Sequence, residues 1–396
     1  MFMKYLVITN TDANHVRLVY LLKELLNRDE EVHLMCSGSS GEDALKQIYG
    51  DKLHLYNFPV DTKRFSNFKI ARYFMFFMSA KGSIAEVIED IKPDAVYAYN
   101  LLSGYPTMKA LQGRDIPFYF DMTDFFYEIF RSNMNFDRES FVINKIKKME
   151  QDVVNRATKV FTVSEAFRKA IMGFSEKKKE DIIVVHEGAD IEVFKPREKD
   201  KEIMIRYNLK DKIVITFVGG IEKHDNLDMV VEAAKSLCEV HKNVKFLIVG
   251  DGKYLPNVKE LVKNNNLEEF FVFTGWIPFR IINTYLSVSD IAILVYSNTM
   301  ITRYVGTTKL YEYLACGIPV VSHDLLGTRE ILGNSEYGLL FTCDDKEMFT
   351  EKLKKLIEDP ELRKDLGKKS REIVVEKYNV LKQAKKIVDA MVSVNI

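Results

Sequence analysis

Cysteine is sparse in this chain of 396 residues, with four in all. Cys36, Cys238, Cys316 and Cys343 lie far apart, so no CxxC metal or redox pair is present. A chain of this size needs no disulfide scaffold, and so few thiols point to a reducing compartment. No run of about 18 apolar residues occurs, so no segment is expected to span a bilayer. Residues 1–10 carry one lysine and a short apolar run with no small-residue cleavage site after it, which argues against a secretory signal. An excess of one charge is also missing: Lys+Arg and Asp+Glu are both 57. That balance excludes a general nucleic-acid binder. Glutamine is confined to Gln47, Gln112, Gln151 and Gln383 while Lys, Glu and Ile abound, as in heat-adapted or AT-rich sources. The turn at residues 10–15, after the first apolar run, has no glycine. A dinucleotide fingerprint needs glycine there for backbone to approach pyrophosphate, so a nicotinamide or flavin oxidoreductase is disfavoured.

What is present reads as a folded chain, with 47% hydrophobic and 29% charged residues. Its length implies two or three domains. Short apolar runs predict strands at 5–9, 32–36, 53–58, 95–99, 118–121, 160–163 and 182–185. A second series follows at 213–218, 244–249, 270–274, 291–295, 319–322 and 339–341. Amphipathic stretches between them predict helices, among them 16–27, 70–91, 139–155, 227–240, 255–265, 309–316 and 346–358. Residues 360–396 read as two more. Strands alternating with helices imply parallel sheets covered on both faces. The charged stretch 195–201, with Pro196, divides residues 1–195 from residues 196–378. Ligands bind beyond the carboxyl ends of such strands, and with two domains in series the expected place is a cleft between them.

Three predicted strands of the second half end in glycine: Gly219-Gly220, Gly250-Asp251-Gly252, and Gly275 before Trp276. Each either turns the chain tightly or lets a ligand approach backbone, and three together favour a nucleotide site. Residues 306–321 read as a polar loop, a two-turn helix, a glycine stop and an apolar strand. Amides of Thr307 and Thr308 fall at the helix N-terminus, where free N–H groups and the dipole attract phosphate. Lys309 adds a cation, and Glu312 can accept from vicinal hydroxyls such as a ribose diol. The competing reading is a surface pair at i, i+3, worth a few tenths of a kcal/mol. His15 near a helix start is either structural or in contact with substrate. Asp121 and Asp124 form an isolated acidic pair and the histidines are scattered along the chain, so no metal constellation is read. Residues 62–85 hold Lys63, Arg64, Lys69, Arg72 and Lys81, no acid, and an aromatic run at 73–77. They suit an anionic bilayer surface or a helix packed on the sheet. Phe125, Phe126, Tyr127 and Phe130 form a second aromatic patch, able to hold a sugar or lipid or to fill the core.

Along nearly its whole length the sequence resembles the family 4 retaining glycosyltransferases. Phe217-Val218-Gly219-Gly220, Leu247-Ile248-Val249-Gly250-Asp251-Gly252, Phe273-Thr274-Gly275-Trp276-Ile277-Pro278 and Asp290-Ile291-Ala292 carry the resemblance. So does Lys309-Leu310-Tyr311-Glu312-Tyr313, similar to the family's P-x-K-x-x-E-Y donor motif with Thr307 in place of the proline. The resemblance implies an α/β fold of GT-B architecture, two Rossmann-like domains with parallel sheets facing across a cleft. Residues 1–195 would bind the acceptor, residues 196–378 a nucleotide sugar, and a C-terminal helix at about 379–396 would pack back on the first domain. It implies transfer of a sugar from a UDP- or GDP-linked donor to a glycan or lipid-linked acceptor, with retention at the anomeric carbon. No metal and no cofactor besides the donor substrate is implied, and no nucleic acid. The expected location is cytoplasmic, at the inner face of the membrane through residues 62–85. Lys309, Glu312, Arg303 and Asp121 take the catalytic roles. Gly219, Gly220, Lys223, Gly250, Gly275, Trp276, Ile277, Thr307, Thr308 and Leu310 bind the donor, and His15, Thr123 and Asp124 the acceptor. The sequence departs from the family where Tyr304 replaces the first Glu of the donor motif and where Gly220 and Asp225 replace an Arg and a Lys that clamp diphosphate. Thr123 stands for a His, and Glu187 for an Asn. These departures keep open a non-catalytic homologue that binds a nucleotide sugar and partners an active transferase.

Overall fold

The computed structural model describes residues 3–10, 15–37, 49–58, 69–134 and 136–393. The chain divides into two compact units, Met1–His186 with Leu381–Ile396, and Glu187–Val380. The boundary falls at His186, ahead of the charged stretch at 195–201.

In the first unit the elements run β1 Lys4–Thr9, α1 Val16–Asn27, β2 Glu31–Cys36, β3 Leu53–Asn57, α2 Lys69–Ile91, β4 Ala95–Tyr99 and α3 Asn100–Ala110. β5 Phe118–Met122, α4 Phe126–Met134, α5 Phe141–Arg156, β6 Lys159–Thr162, α6 Glu165–Phe174 and β7 Ile182–Val184 follow. The strands form one parallel sheet in the order β3-β2-β1-β4-β5-β6-β7. β4 and β5 are buried along their whole length, which is why neither shows the apolar–polar alternation of a half-exposed strand; the charged Asp121 within β5 is buried with the rest. Serine sets the entry to two helices: Ser140 Oγ accepts from Ile143 N–H, and Ser164 Oγ from Phe167 N–H.

The second unit runs α7 Lys201–Arg206, β8 Ile213–Val218, α8 Leu227–Val240, β9 Val244–Val249, α9 Leu255–Asn264, β10 Phe271–Phe273 and α10 Ile282–Leu286. Then come β11 Ile291–Leu294, α11 Thr308–Ala315, β12 Val320–His323, α12 Leu326–Leu332, β13 Leu339–Phe341, α13 Lys346–Glu358 and α14 Pro360–Lys377. Its sheet is parallel with the order β10-β9-β8-β11-β12-β13. Alternate residues of β8 feed opposite cores: Ile215 and Phe217 pack with α8, whereas Val214 and Val218 pack with α11. Strand order therefore reverses between β8 and β11, the topological switch point at which doubly wound sheets bind ligands.

The last helix, α15 Val380–Val392, belongs with the first unit from Leu381 onward. Ile387, Val388 and Met391 enter the core beside Tyr5, Val7 and Tyr119. Tyr119 OH donates to the Met391 carbonyl at 2.8 Å.

Candidate functional site

The carboxyl ends of β8, β9 and β10 and the start of α11 enclose a cavity of about 570 Å³, lined by residues from Val218 to Glu312. That volume suits a small-molecule ligand. Gly219 and Gly220 form one wall, Gly250 and Asp251 another, and Trp276, Ile277, Phe279 and Ile282 a third. Thr308, Lys309 and Glu312 close it. Two glycines have geometric reasons. Gly219, at φ +146°, would place a Cβ 2.6 Å from Lys309 Nζ, and Gly250, at φ +135°, would place one 1.9 Å from the Gly219 carbonyl oxygen. Glycine here makes room for the lysine and for the neighbouring turn.

Helix α11 begins without a side-chain cap: Thr307 occupies the N-cap position, its hydroxyl buried and unpartnered. First-turn amides have no intrahelical acceptor, so this end of the cavity offers N–H groups and the positive end of the dipole. Lys309, with 14% of its side chain exposed, lies 3.4 Å from Asp225 Oδ1. Its Nζ stands 4.5 Å from the Phe217 ring centroid and 4.9 Å from that of Tyr296. Burial pulls the ammonium down, but Tyr296 and Asp225 outweigh it, and its pKa is raised. Lys309 is thus a fixed cation. Glu312 is 7% exposed, and its carboxylate, unlike its backbone carbonyl, accepts no hydrogen bond from any described residue. Desolvation pushes its carboxyl up to about 7 despite the opposing charge of Lys309.

The structure therefore gathers Gly219, Gly220, Gly250, Trp276, Ile277, Thr308, Lys309 and Glu312 around one cavity, with Thr307 at its helix start. Other expected donor or catalytic residues lie off its wall. Leu310 is fully buried in the core, its amide donating to the Thr307 carbonyl. Arg303 Nε donates to Asn298 Oδ1, and Lys223 is exposed on the short turn before α8. Gly275 acts through its carbonyl, which accepts from Gly250 N–H at 3.1 Å. Asp225, Tyr296 and Phe217, which hold Lys309, were not expected in the site. Phe217 and Asp225 fall in stretches that the family resemblance picked out, but their role toward Lys309 exists only once three separate segments come together.

In the first unit, Asp121 is fully buried. Arg17 donates to it through Nε at 2.6 Å and Nη2 at 3.0 Å, and Tyr97 OH donates a third bond. The catalytic role expected of Asp121 finds no support in this geometry, since its carboxylate is committed to the framework. His15, Thr123 and Asp124 do meet. Tyr99 OH lies 3.3 Å from both His15 Nε2 and Thr123 Oγ1, and Thr123 Oγ1 donates to Asp124 Oδ2. Tyr99 escaped the sequence reading because it ends a fully buried strand. The rest of the glycine-free turn, residues 11–14, lies outside the described residues, as do residues 62–68 of the basic aromatic stretch. In α2, Phe76 is buried while Met78 is 66% exposed, so that helix is neither wholly packed nor wholly interfacial. No helix is long and apolar enough to cross a membrane among the described residues. Phe126 and Phe130, with Tyr73, Phe77 and Phe141, line an apolar cavity of about 250 Å³ that has Lys145 in its wall.

Two doubly wound units, one holding a glycine-walled cavity at its switch point, define an α/β protein of GT-B architecture. Solved structures share that fold. Anabaena HepE in complex with UDP matches with a TM-score of 0.76 at 16% identity, over 99% of this chain and 100% of that one. Sucrose-phosphate synthase from Thermosynechococcus elongatus matches with a TM-score of 0.80 at 15% identity, over 99% of each. The family model for glycosyl transferases group 1 matches residues 199–373, and that for glycosyltransferase family 4 matches residues 15–193. The chain belongs to the family 4 glycosyltransferases. Among curated relatives, an uncharacterised glycosyltransferase of Methanocaldococcus jannaschii is 26% identical over 61% of this chain and 60% of its own length. Alpha-D-kanosaminyltransferase of Streptomyces kanamyceticus is 24% identical over 45% of each. The chain thus spans about half the length of these relatives.

Proposed function

We propose that the chain transfers a sugar, with retention, from a nucleotide-diphosphate donor to a glycan or lipid-linked acceptor at the cytoplasmic face of a membrane. One observation carries this reading: a buried carboxylate, Glu312, without a hydrogen-bond partner among the described residues, on the wall of a cavity that also presents a fixed cation and an uncapped helix end. A ribose or sugar diol would satisfy the carboxylate, and the diphosphate would meet Lys309 with the amides of Thr308 and Lys309. Charge grows on the departing phosphate during transfer, so preorganised donors there lower the barrier. That phosphate can itself take the acceptor proton, and no side-chain nucleophile is required. The apolar cavity near Phe126 and Phe141 supports an acceptor with a hydrocarbon part. No metal is assigned to this site.

A second reading, nucleotide-sugar binding without transfer, is favoured by one specific feature. Where the family carries two diphosphate cations, Gly220 faces open space and Asp225 neutralises Lys309.

Trp276 is the chain's single tryptophan, 72% exposed, and lines the cavity. Titration with UDP, GDP and their glucose conjugates should therefore quench intrinsic fluorescence saturably for at least one base. Glu312→Ala should weaken that binding about tenfold or more, as loss of a charge-assisted hydrogen bond predicts. Unchanged affinity in the variant would remove the site assignment. Donor hydrolysis or transfer over an acceptor panel then separates the two readings, since binding without sugar release leaves only the second.

A further inference from the structure

We propose that Glu31, His33 and His54 form a site for a divalent transition-metal cation of the zinc type, at the edge of the first unit's sheet and independent of the donor cavity. The histidines look scattered in the sequence, but sheet register unites them. β2 and β3 pair in parallel with His33 opposite His54. Because strand side chains alternate, Glu31 two residues before His33, and Tyr56 two residues after His54, share that face. One ligand atom from each of Glu31, His33 and His54 lies within 4.8 Å of the others. The two imidazoles stack with centroids 4.6 Å apart.

The donor chemistry selects the cation. Two imidazoles and one carboxylate suit Zn²⁺ or Ni²⁺ over Mg²⁺ or Ca²⁺, which prefer oxygen. Three protein ligands leave a position for water or an outside donor. His33 is oriented from both sides: its Nε2 lies 2.9 Å from Glu31 Oε1 and its Nδ1 3.2 Å from Tyr56 OH. The tautomer with hydrogen on Nδ1 donates to Tyr56 and presents a bare Nε2 beside the carboxylate, the usual outer-shell support of a metal-binding histidine. Lys4, 3.6 Å from Glu31 Oε1, is the cation that competes. β3 is the outermost strand of the sheet. A bound ion would pin it to β2.

The test is Zn²⁺ alone titrated into the tag-free full-length chain, by calorimetry and thermal unfolding, with Mg²⁺ as the comparison. Saturable binding of one Zn²⁺ in the micromolar range, with a raised Tm and no matching response to Mg²⁺, is expected. Even outer-shell changes cost about tenfold or more in metal affinity, so His54→Ala should cost at least that. His54 is exposed at the sheet edge, and its replacement leaves the core untouched. Glu31→Gln gives an independent second variant, read by the same loss. Zn²⁺ binding no tighter than Mg²⁺, or unaltered by both variants, overturns the proposal.

Discussion

Lys309 and Glu312 lie three residues apart, a spacing that fits both a ligand pair and a surface ion pair. Burial separates these possibilities. Neither side chain is on the surface; the lysine is held by Asp225 and two aromatic rings, whereas the glutamate's carboxylate has no hydrogen-bond partner among the described residues. The glutamate's cost to the fold gives a testable sign. Its carboxyl binds a proton more tightly in the folded chain, at about 7 against the ordinary 4.5, so the folded state holds more protons in that window. Stability attributable to this group therefore falls as pH rises from about 4.5 to 7 and stays low above it. Glu312→Gln removes the penalty. It should raise Tm at pH 8, by up to about 3 kcal/mol in unfolding free energy, and change little at pH 4.5. Nucleotide affinity should fall in the same variant. A Tm at pH 8 below the parent's would show that the carboxylate is stabilised in place. Such opposed effects on stability and binding are expected at functional sites.

At the scale of elements, the strand ends do the positioning. Gly219 N–H donates to the Val249 carbonyl and Gly250 N–H to the Gly275 carbonyl, so three successive strand ends are tied together under the cavity. Gly250→Ala would press a methyl into the Gly219 carbonyl from a backbone at φ +135°. Destabilisation of about 3 kcal/mol or more is expected, measured by denaturant unfolding. Gly220→Ala, where nothing lies within 4 Å, should cost less than about 1 kcal/mol. Equal effects would mean that the tied turns are not what shapes the cavity. The same scale shows which elements the sequence declared. β8 to β11 and α11 stood out as apolar runs closed by glycine or polar loops. α3 did not, because it holds Pro106 and Gly104 and buries residues of several faces. A helix without a polar face has no period to read. Gly104 is small there because a Cβ would meet the Phe120 ring at 2.5 Å.

At the scale of the whole molecule, the first unit is completed by residues about two hundred positions away. α15 supplies Ile387, Val388 and Met391 to the core around β1, and Arg28 Nη2 pairs with Asp389 at 2.7 Å. Truncation before Leu381 should uncover that core. Each large apolar side chain lost contributes about 1.5–3 kcal/mol, so the first unit should unfold or become protease-sensitive. The second unit carries its own core and every residue lining the donor cavity, so nucleotide quenching of Trp276 should persist. Loss of both together would show that the units do not fold separately.

Alternation of apolar runs and amphipathic stretches was enough to announce two parallel α/β units, since strand and helix periods are local properties of the chain. Glycine at strand ends and the 306–321 stretch likewise picked out residues that line the cavity of the second unit. Tertiary structure alone decided which charges are free. Asp121 is consumed by Arg17 and Tyr97, Lys309 is paired with Asp225, and His33 meets His54 across two strands. Charge pairing depends on distances between segments remote in sequence, and those distances exist only once the sheets have formed.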